Sequence, residues 1–205
     1  MALHRIRDSN MHFFHIQSAT MSPCDLTQDA YQTARETWLC GGCAIPKPGV
    51  PITNVRMESH CLNDFPLTFV NGAGLPIASR RLLDALGGLR LVERDLTLGV
   101  VLDPEGNPLD DWVTFRGKTR LIIRGSKEIS YRRCQECGRS VYFAMGKRYL
   151  FPAPPKDVEV FESDLFGLVV TPTLYEQFRA SQWRGLTIDD LPVLSQPLDS
   201  LGEIV

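Results

Sequence analysis

The sequence predicts an α+β fold, with strands and a few short helices in two weakly repeated halves of a single domain spanning residues 1–205. Three observations predict it. Short apolar runs punctuated by Gly, Pro, Asn and Asp recur along the chain and read as strands. Two other segments carry apolar residues at helical spacing behind a hydroxyl residue. A Cys-x-x-Cys pair precedes each of those segments at nearly the same distance.

In chain order, His12 to Gln17 is a strand with Phe13, Phe14 and Ile16 as its apolar residues. Leu26, Ala30, Ala34 and Trp38 fall at helical spacing, so a helix is expected before Cys40. Pro46 to Pro51 holds three prolines and a glycine and must be irregular. Leu67 to Val70 and Leu75 to Ala78 are extended pieces around an Asn71-Gly72 turn. Ser79 to Leu86 is a helix. The Ser79 hydroxyl can accept a bond from an unpaired N–H of the first turn, and Leu82, Leu83 and Leu86 make one apolar face. Gly87-Gly88 can end that helix in a left-handed conformation. Leu98 to Leu102, a turn at Asp103 to Asn107 and Trp112 to Phe115 read as strand, loop, strand. Arg120 to Arg124 is a further strand, and Tyr131 to Tyr142 has the form strand, Cys pair, strand. Phe151 to Pro155 breaks regular structure. Asp164 to Val170 leads into a helix over Thr171 to Phe178, with Pro172 at its tolerated first position. From Ile188 onward the chain is expected to be extended and partly loose.

The repeat is specific in its offsets. Ser79 precedes Leu82, Leu83 and Leu86 by three, four and seven positions; Thr171 precedes Leu174, Tyr175 and Phe178 by the same. Cys43 lies 36 positions before Ser79, and Cys137 lies 34 before Thr171. The expected pseudo-repeats cover about 38–112 and 113–192.

Bulk composition narrows the function classes. The chain has 205 residues, is 43% hydrophobic and 22% charged, and carries a formal net charge of −2. Such a balance suits a globular domain and not a general nucleic-acid binder. No apolar run approaches a membrane span, and MALHRIRDSNMHFFHIQ lacks the pattern of a signal peptide. A cytoplasmic location is therefore expected, where paired cysteines favour metal over disulfide.

Four of six cysteines form the two pairs Cys40/Cys43 and Cys134/Cys137. Zinc takes four soft ligands in a tetrahedron, and each Cys-x-x-Cys turn supplies two. One structural zinc shared by the two halves is the expectation. A redox dithiol is disfavoured because neither pair stands between a strand and a helix, and a catalytic zinc because a four-thiolate set leaves no open position. The residue after the second Cys of a knuckle takes a left-handed conformation that suits glycine. Gly138 fits this, whereas Ala44 follows Cys43 and Gly41-Gly42 sit inside the turn. Arg132, Arg133 and Arg139 flank the second pair and can offset the charge of a four-thiolate centre. Cys24 and Cys61 read as small buried hydrophobes. His12 and His15 fall on opposite faces of one strand.

Charge is segregated. Residues 116–148 hold ten Lys/Arg against two acids, Glu128 and Glu136. Acidic residues gather at Asp103, Glu105, Asp110 and Asp111, and again at Asp189 and Asp190. No nucleophile elbow, phosphate-binding Gly-Lys-Ser/Thr loop or His-Glu-x-x-His motif is present, so a non-enzymatic binding protein is expected.

The blocks Trp38-Leu39-Cys40-Gly41-Gly42-Cys43 and Cys134-Gln135-Glu136-Cys137-Gly138, their wide spacing, and Ser163-Asp164-Leu165-Phe166 ahead of Thr171 to Phe178 and Gly185-Leu186-Thr187 resemble the double-CXXCG family of bacterial immunity proteins. Ala44 departs from that pattern. The resemblance implies a small cytosolic antidote that binds the C-terminal domain of one cognate secreted toxin and blocks it. A toxin acting on nucleic acid or nucleotides has a basic cleft, so Asp103, Glu105, Asp110, Asp111, Asp189 and Asp190 are the candidate contacts. The alternative is a zinc-ribbon nucleic-acid-binding or regulatory protein using residues 116–148, with Tyr131, Tyr142, Phe143 and Tyr149 able to stack on bases. Direct nucleic-acid binding is the weaker expectation, because those aromatics can alternate into the core.

Overall fold

Most strands fall into two sheets that share one core, and several of them, such as Val160–Ser163 and Gly167–Val170, are buried along their whole length. The computed structural model describes residues 11–19, 23–47, 50–58, 62, 65–70, 74–137, 140–165, 167–179 and 183–195, with the main chain alone at 89–90, 127–133 and 140–145. The Asn71-Gly72 turn, Cys61, Gly138, Arg139, Phe166 and both chain ends lie outside the described residues.

The first sheet contains β2 (Pro23–Cys24), β3 (Asn54–Arg56), β4 (Leu67–Val70), β5 (Pro76–Ser79), β6 (Leu96–Leu102) and β7 (Pro108–Gly117), in the order β2-β4-β5-β7-β6-β3. Its four middle strands pair antiparallel, and β2 and β3 add parallel at the two ends. The second sheet contains β1 (His12–Ser18), β8 (Arg120–Leu121), β11 (Val160–Ser163), β12 (Gly167–Val170) and β13 (Leu186–Pro192), in the order β13-β1-β12-β11-β8. The first described strand, β1, thus lies inside the sheet built otherwise from the second half. The chain passes between sheets after Gly117, so the expected boundary at 112/113 falls within β7.

Arg120 to Arg124, expected as one strand, is divided. Arg120–Leu121 pairs parallel with β11, Ile122 is exposed, and Ile123 opens a separate two-stranded hairpin of β9 (Ile123–Arg133) and β10 (Ser140–Leu150). The strand propensity is local, but the change of partner depends on tertiary contacts.

Four helices complete the described fold: α1 (Gln28–Thr37), α2 (Arg80–Ala85), α3 (Leu89–Asp95) and α4 (Pro172–Phe178). The short α3 is an addition to the elements expected from sequence. At α2 the cap forms as expected, with Ser79 Oγ accepting the Leu82 N–H at 3.2 Å. At α4 it does not: the Thr171 hydroxyl is buried without a partner. Pro172 starts that helix instead, since its fixed φ is helical and it has no N–H to satisfy.

Leu82, Leu83 and Leu86 from α2 and Leu174 and Phe178 from α4 enter one buried cluster with Val113 and Phe115 of the first sheet and Ile16 and Val170 of the second. A second cluster lies under α1, with Ala34, Trp38, Leu39, Val55 and Ile77. A third gathers Phe13, Ile123, Leu150, Phe161 and Leu191 at the base of the β9–β10 hairpin. Two polar seams also bind the sheets. Glu162 on β11 accepts from Arg116 Nε at 3.0 Å and from the Gly117 N–H at 2.9 Å. Asp95, closing α3, accepts the Glu159 and Val160 N–H groups at 2.8 and 3.0 Å and a two-pronged bond from Arg94. No described helix is long and apolar enough to cross a membrane.

Candidate metal centre

Each Cys pair is presented by a tight reverse loop, and the two loops are supported differently. The helix α1 ends where the Trp38 and Leu39 N–H groups both donate to Ala34 O. Both side chains are buried and anchor the start of the first loop. That loop is closed by a bridge between Leu39 and Pro46, by Lys47 N–H donating to Trp38 O, and by Cys40 N–H donating to Ile45 O. The second pair stands at the tip of β9–β10, whose eleven-residue strands carry it back to the first.

The four cysteines converge. Cys40 Sγ lies 3.7 Å from Cys134 Sγ, and Cys43 Sγ lies 3.7 Å from Cys137 Sγ. All four sulfurs lie within 4.8 Å of one another. A tetrahedron with metal–sulfur bonds of about 2.3 Å has edges of about 3.8 Å, so the spacing matches a four-thiolate metal site. First cysteine meets first and second meets second, at the same distance. The backbone repeats this relation. Cys40 sulfur accepts from the N–H groups of Cys43 and Gly42, and Cys134 sulfur from those of Cys137 and Glu136. Backbone donation, from Cys137 above all, holds the Cys134 thiol down at about 7, whereas burial pushes Cys43 up to about 12. A bound dication would favour the thiolate form of all four.

Ala44, the departure from the double-CXXCG pattern, adopts φ of +55°. The first knuckle thus takes the left-handed turn that glycine would enter freely, and the Ala44 N–H donates to Cys40 O at 2.8 Å. Gly41 and Gly42 have a different role. A Cβ on Gly42 would stand 3.0 Å from Cys134 Sγ, and one on Gly41 3.1 Å from Glu136 Oε2. These glycines let the second knuckle approach.

Glu136 is the residue that sequence reasoning missed; in sequence it counts only as an acid within a basic segment. Its Oε2 accepts the Gly42 N–H at 2.9 Å and lies 3.5 Å from Cys40 Sγ, so it crosses from one knuckle to the other. No spacing rule announces a bond between positions 94 residues apart. Cys24 is buried as expected. The side chains of Arg132 and Arg133 lie outside the described set.

The structure divides the six acidic candidates between two elements. Asp103, Glu105, Asp110 and Asp111 belong to the β6–β7 hairpin, where Asp103 clasps the turn by accepting from Asn107 N and Nδ2. Asp189 and Asp190 lie on β13, and both are engaged within the chain. Asp189 accepts from Arg148 Nη1 at 2.6 Å and Gln17 Nε2 at 3.2 Å, and Asp190 bonds His12 at 2.8 Å. The basic segment is partly structural too. Arg116 is buried against Glu162, Lys118 donates to Glu93 O, and Tyr149 is buried. His12 and His15 do face opposite ways. His15 is fully buried, with neither ring nitrogen hydrogen-bonded and Nδ1 3.9 Å from Asp189.

No protein-family model matches this chain, and no curated protein shows similarity to it.

Proposed function

We propose that this protein is an immunity protein of the double-CXXCG kind, which binds a cognate secreted toxin domain in the cytoplasm and blocks it, with one structural zinc in the four-cysteine site. The observation that carries the reading is the convergence of two Cys-x-x-Cys knuckles, 94 residues apart, on one set of tetrahedral spacing. The same widely spaced pairs carry the family resemblance. The donor set supports zinc, since four thiolates form a closed site of the structural type. Zinc there supplies fold energy and leaves no position for substrate. The chain's own residues do the rest. Gly41 and Gly42 admit the hairpin tip, Glu136 orients it, and the exposed Glu105, Asp110 and Asp111 offer charge to a basic surface.

Metal analysis of purified protein should give about one zinc per chain. The product of the neighbouring gene, co-expressed, should co-purify with it and lose its toxicity. Protein that carries iron, or no metal at all, when purified without chelator would refute the zinc assignment, and a neighbour that is neither toxic nor bound would refute the immunity reading. The basic β9–β10 ribbon supports a second reading, nucleic-acid binding. Binding that falls steeply with salt and disappears on Arg132→Glu with Arg133→Glu would favour it.

A further inference from the structure

Neither Gly41 nor Gly42 takes a positive φ, so glycine serves here for space rather than for backbone freedom. Much of that space belongs to a carboxylate. A Cβ on Gly41 would stand 3.1 and 3.3 Å from the two Glu136 oxygens, and one on Gly42 3.4 Å from the Glu136 carboxyl carbon. The first knuckle is cut back where the acid of the second arrives.

The acid arrives against a ligand. Glu136 Oε2 accepts the Gly42 N–H at 2.9 Å and lies 3.5 Å from Cys40 Sγ. The Cys40 sulfur draws on the same Gly42 N–H, so one donor is divided between a candidate metal ligand and an acid. Backbone N–H groups aimed at a ligating sulfur orient it and stabilise its thiolate form, which supports the metal. In the second knuckle the corresponding donors, the N–H groups of Glu136 and Cys137, serve Cys134. Among the described residues no carboxylate takes a share of them.

Charge makes the placement costly once a metal is bound. A dication held by four thiolates carries a net charge of about −2. A carboxylate beside it is a like charge. Near a protein surface, two like unit charges about 4 Å apart repel strongly enough to shift an equilibrium by more than about tenfold, and solvent and salt reduce that without abolishing it. Among the described residues no Lys, Arg or His side chain pairs with Glu136. Gly41, Gly42 and Glu136 are all exposed, so a competing ligand can reach this edge of the centre. The bond that brings the knuckles together also sets a charge against the metal.

We propose that Glu136 keeps the metal of this centre exchangeable, by placing its carboxylate beside Cys40 and taking a share of the Gly42 N–H. The metal then answers to its supply, and the docking of the β9–β10 tip follows it. The inference rests on the four-cysteine zinc site and is independent of the immunity reading.

The test uses the whole chain loaded with zinc. It follows transfer of the metal to a coloured pyridylazo chelator, for wild type and for Glu136→Gln. The glutamine amide oxygen can still accept the Gly42 N–H, so the substitution removes the charge and keeps the bond. Glu136→Gln should slow zinc transfer at low salt at least about fivefold, and tighten zinc in a competition titration by a similar factor. The gap should shrink to about twofold or less in about 1 M NaCl, because salt screens an exposed charge. A role confined to the hydrogen bond would show no such dependence on salt. Circular dichroism and zinc content at saturation should be the same for both proteins. Release from Glu136→Gln as fast as from wild type or faster, or a gap indifferent to salt, would overturn the proposal and leave the zinc site standing. A wild-type chain that takes up no zinc would overturn both, and absence of a toxin partner would touch neither.

Discussion

Cys134→Ser should release the β9–β10 hairpin and leave the two-sheet core folded. Structural zinc contributes roughly 10–16 kcal/mol to small zinc-finger peptides. Whole domains are stable by only about 5–15 kcal/mol. If the metal held the whole chain together, losing it would unfold the protein. The four-cysteine site lies apart from the core that joins the sheets. The sheets meet through a buried cluster of Ile16, Leu82, Val113, Phe115, Val170 and Phe178, which includes no residue of either knuckle. The hairpin is held at its base by Ile123 and Leu150 and at its tip by the cysteines and Glu136. A two-stranded hairpin is marginal by itself. Without the tip contacts, the pairs from Lys127/Met145 to Arg133/Ser140 should open at almost no cost. A fall of about 5 kcal/mol in local opening energy corresponds to exchange faster by three to four powers of ten. Amide hydrogen exchange read by mass spectrometry resolves this. Segments 127–133 and 140–145 should lose protection, while β5, β7, β11 and β12 change by less than about tenfold. Zinc removal by chelator should reproduce the pattern. Uniform loss of protection in both sheets, or no change at the hairpin, would refute the reasoning.

Ala44→Gly should stabilise the protein by up to about 1 kcal/mol in chemical denaturation, because it relieves a left-handed alanine and returns part of that gain as backbone entropy of the unfolded chain. Ala44→Val should destabilise and weaken metal retention. Burial alone would raise the Asp95 carboxyl, but the Arg94 guanidinium and the Glu159 and Val160 N–H groups outweigh it and hold Asp95 below the usual carboxylate range. Its contribution is then complete above about pH 4 and is lost as pH falls through the lower folded value. Asp95→Asn should cost about 1.5–3 kcal/mol at pH 7 and progressively less in acid, as read from denaturation midpoints across pH. Burial lowers the pKa of His15 against the opposing pull of Asp189, so the folded state resists its protonation. Stability should decline as pH drops below about 6.5, and His15→Phe should flatten that slope.

Much of the fold could be read locally. The Ser79 cap, the Leu82/Leu83/Leu86 face and the two-glycine stop, with φ of +108° and +83° at Gly87 and Gly88, are encoded within ten consecutive residues. The strands at 12–17, 67–70 and 98–102 carry their own apolar patterns. The features that could not be read are long-range. Nothing near His12 to Gln17 says that this strand joins a sheet made from the far end of the chain, because register is set by which face finds a core. Thr171 has the residue type of a cap without its bond, since residue type sets the possibility and rotamer sets the contact.

The metal centre divides along the same line. The four candidate ligands were legible because Cys-x-x-Cys pairs supply the soft donors that a tetrahedral metal site takes. Those four cysteines, the glycines between the first two and the short helices later in each half are properties of short stretches of chain. The near-tetrahedral sulfur spacing, the left-handed Ala44 and the Glu136–Gly42 bond arise only when residues 94 positions apart are brought together. Local sequence sets backbone preference and donor chemistry. Which donors meet, and whether the metal holds a core or the tip of an arm, depends on how the two sheets bury their apolar faces.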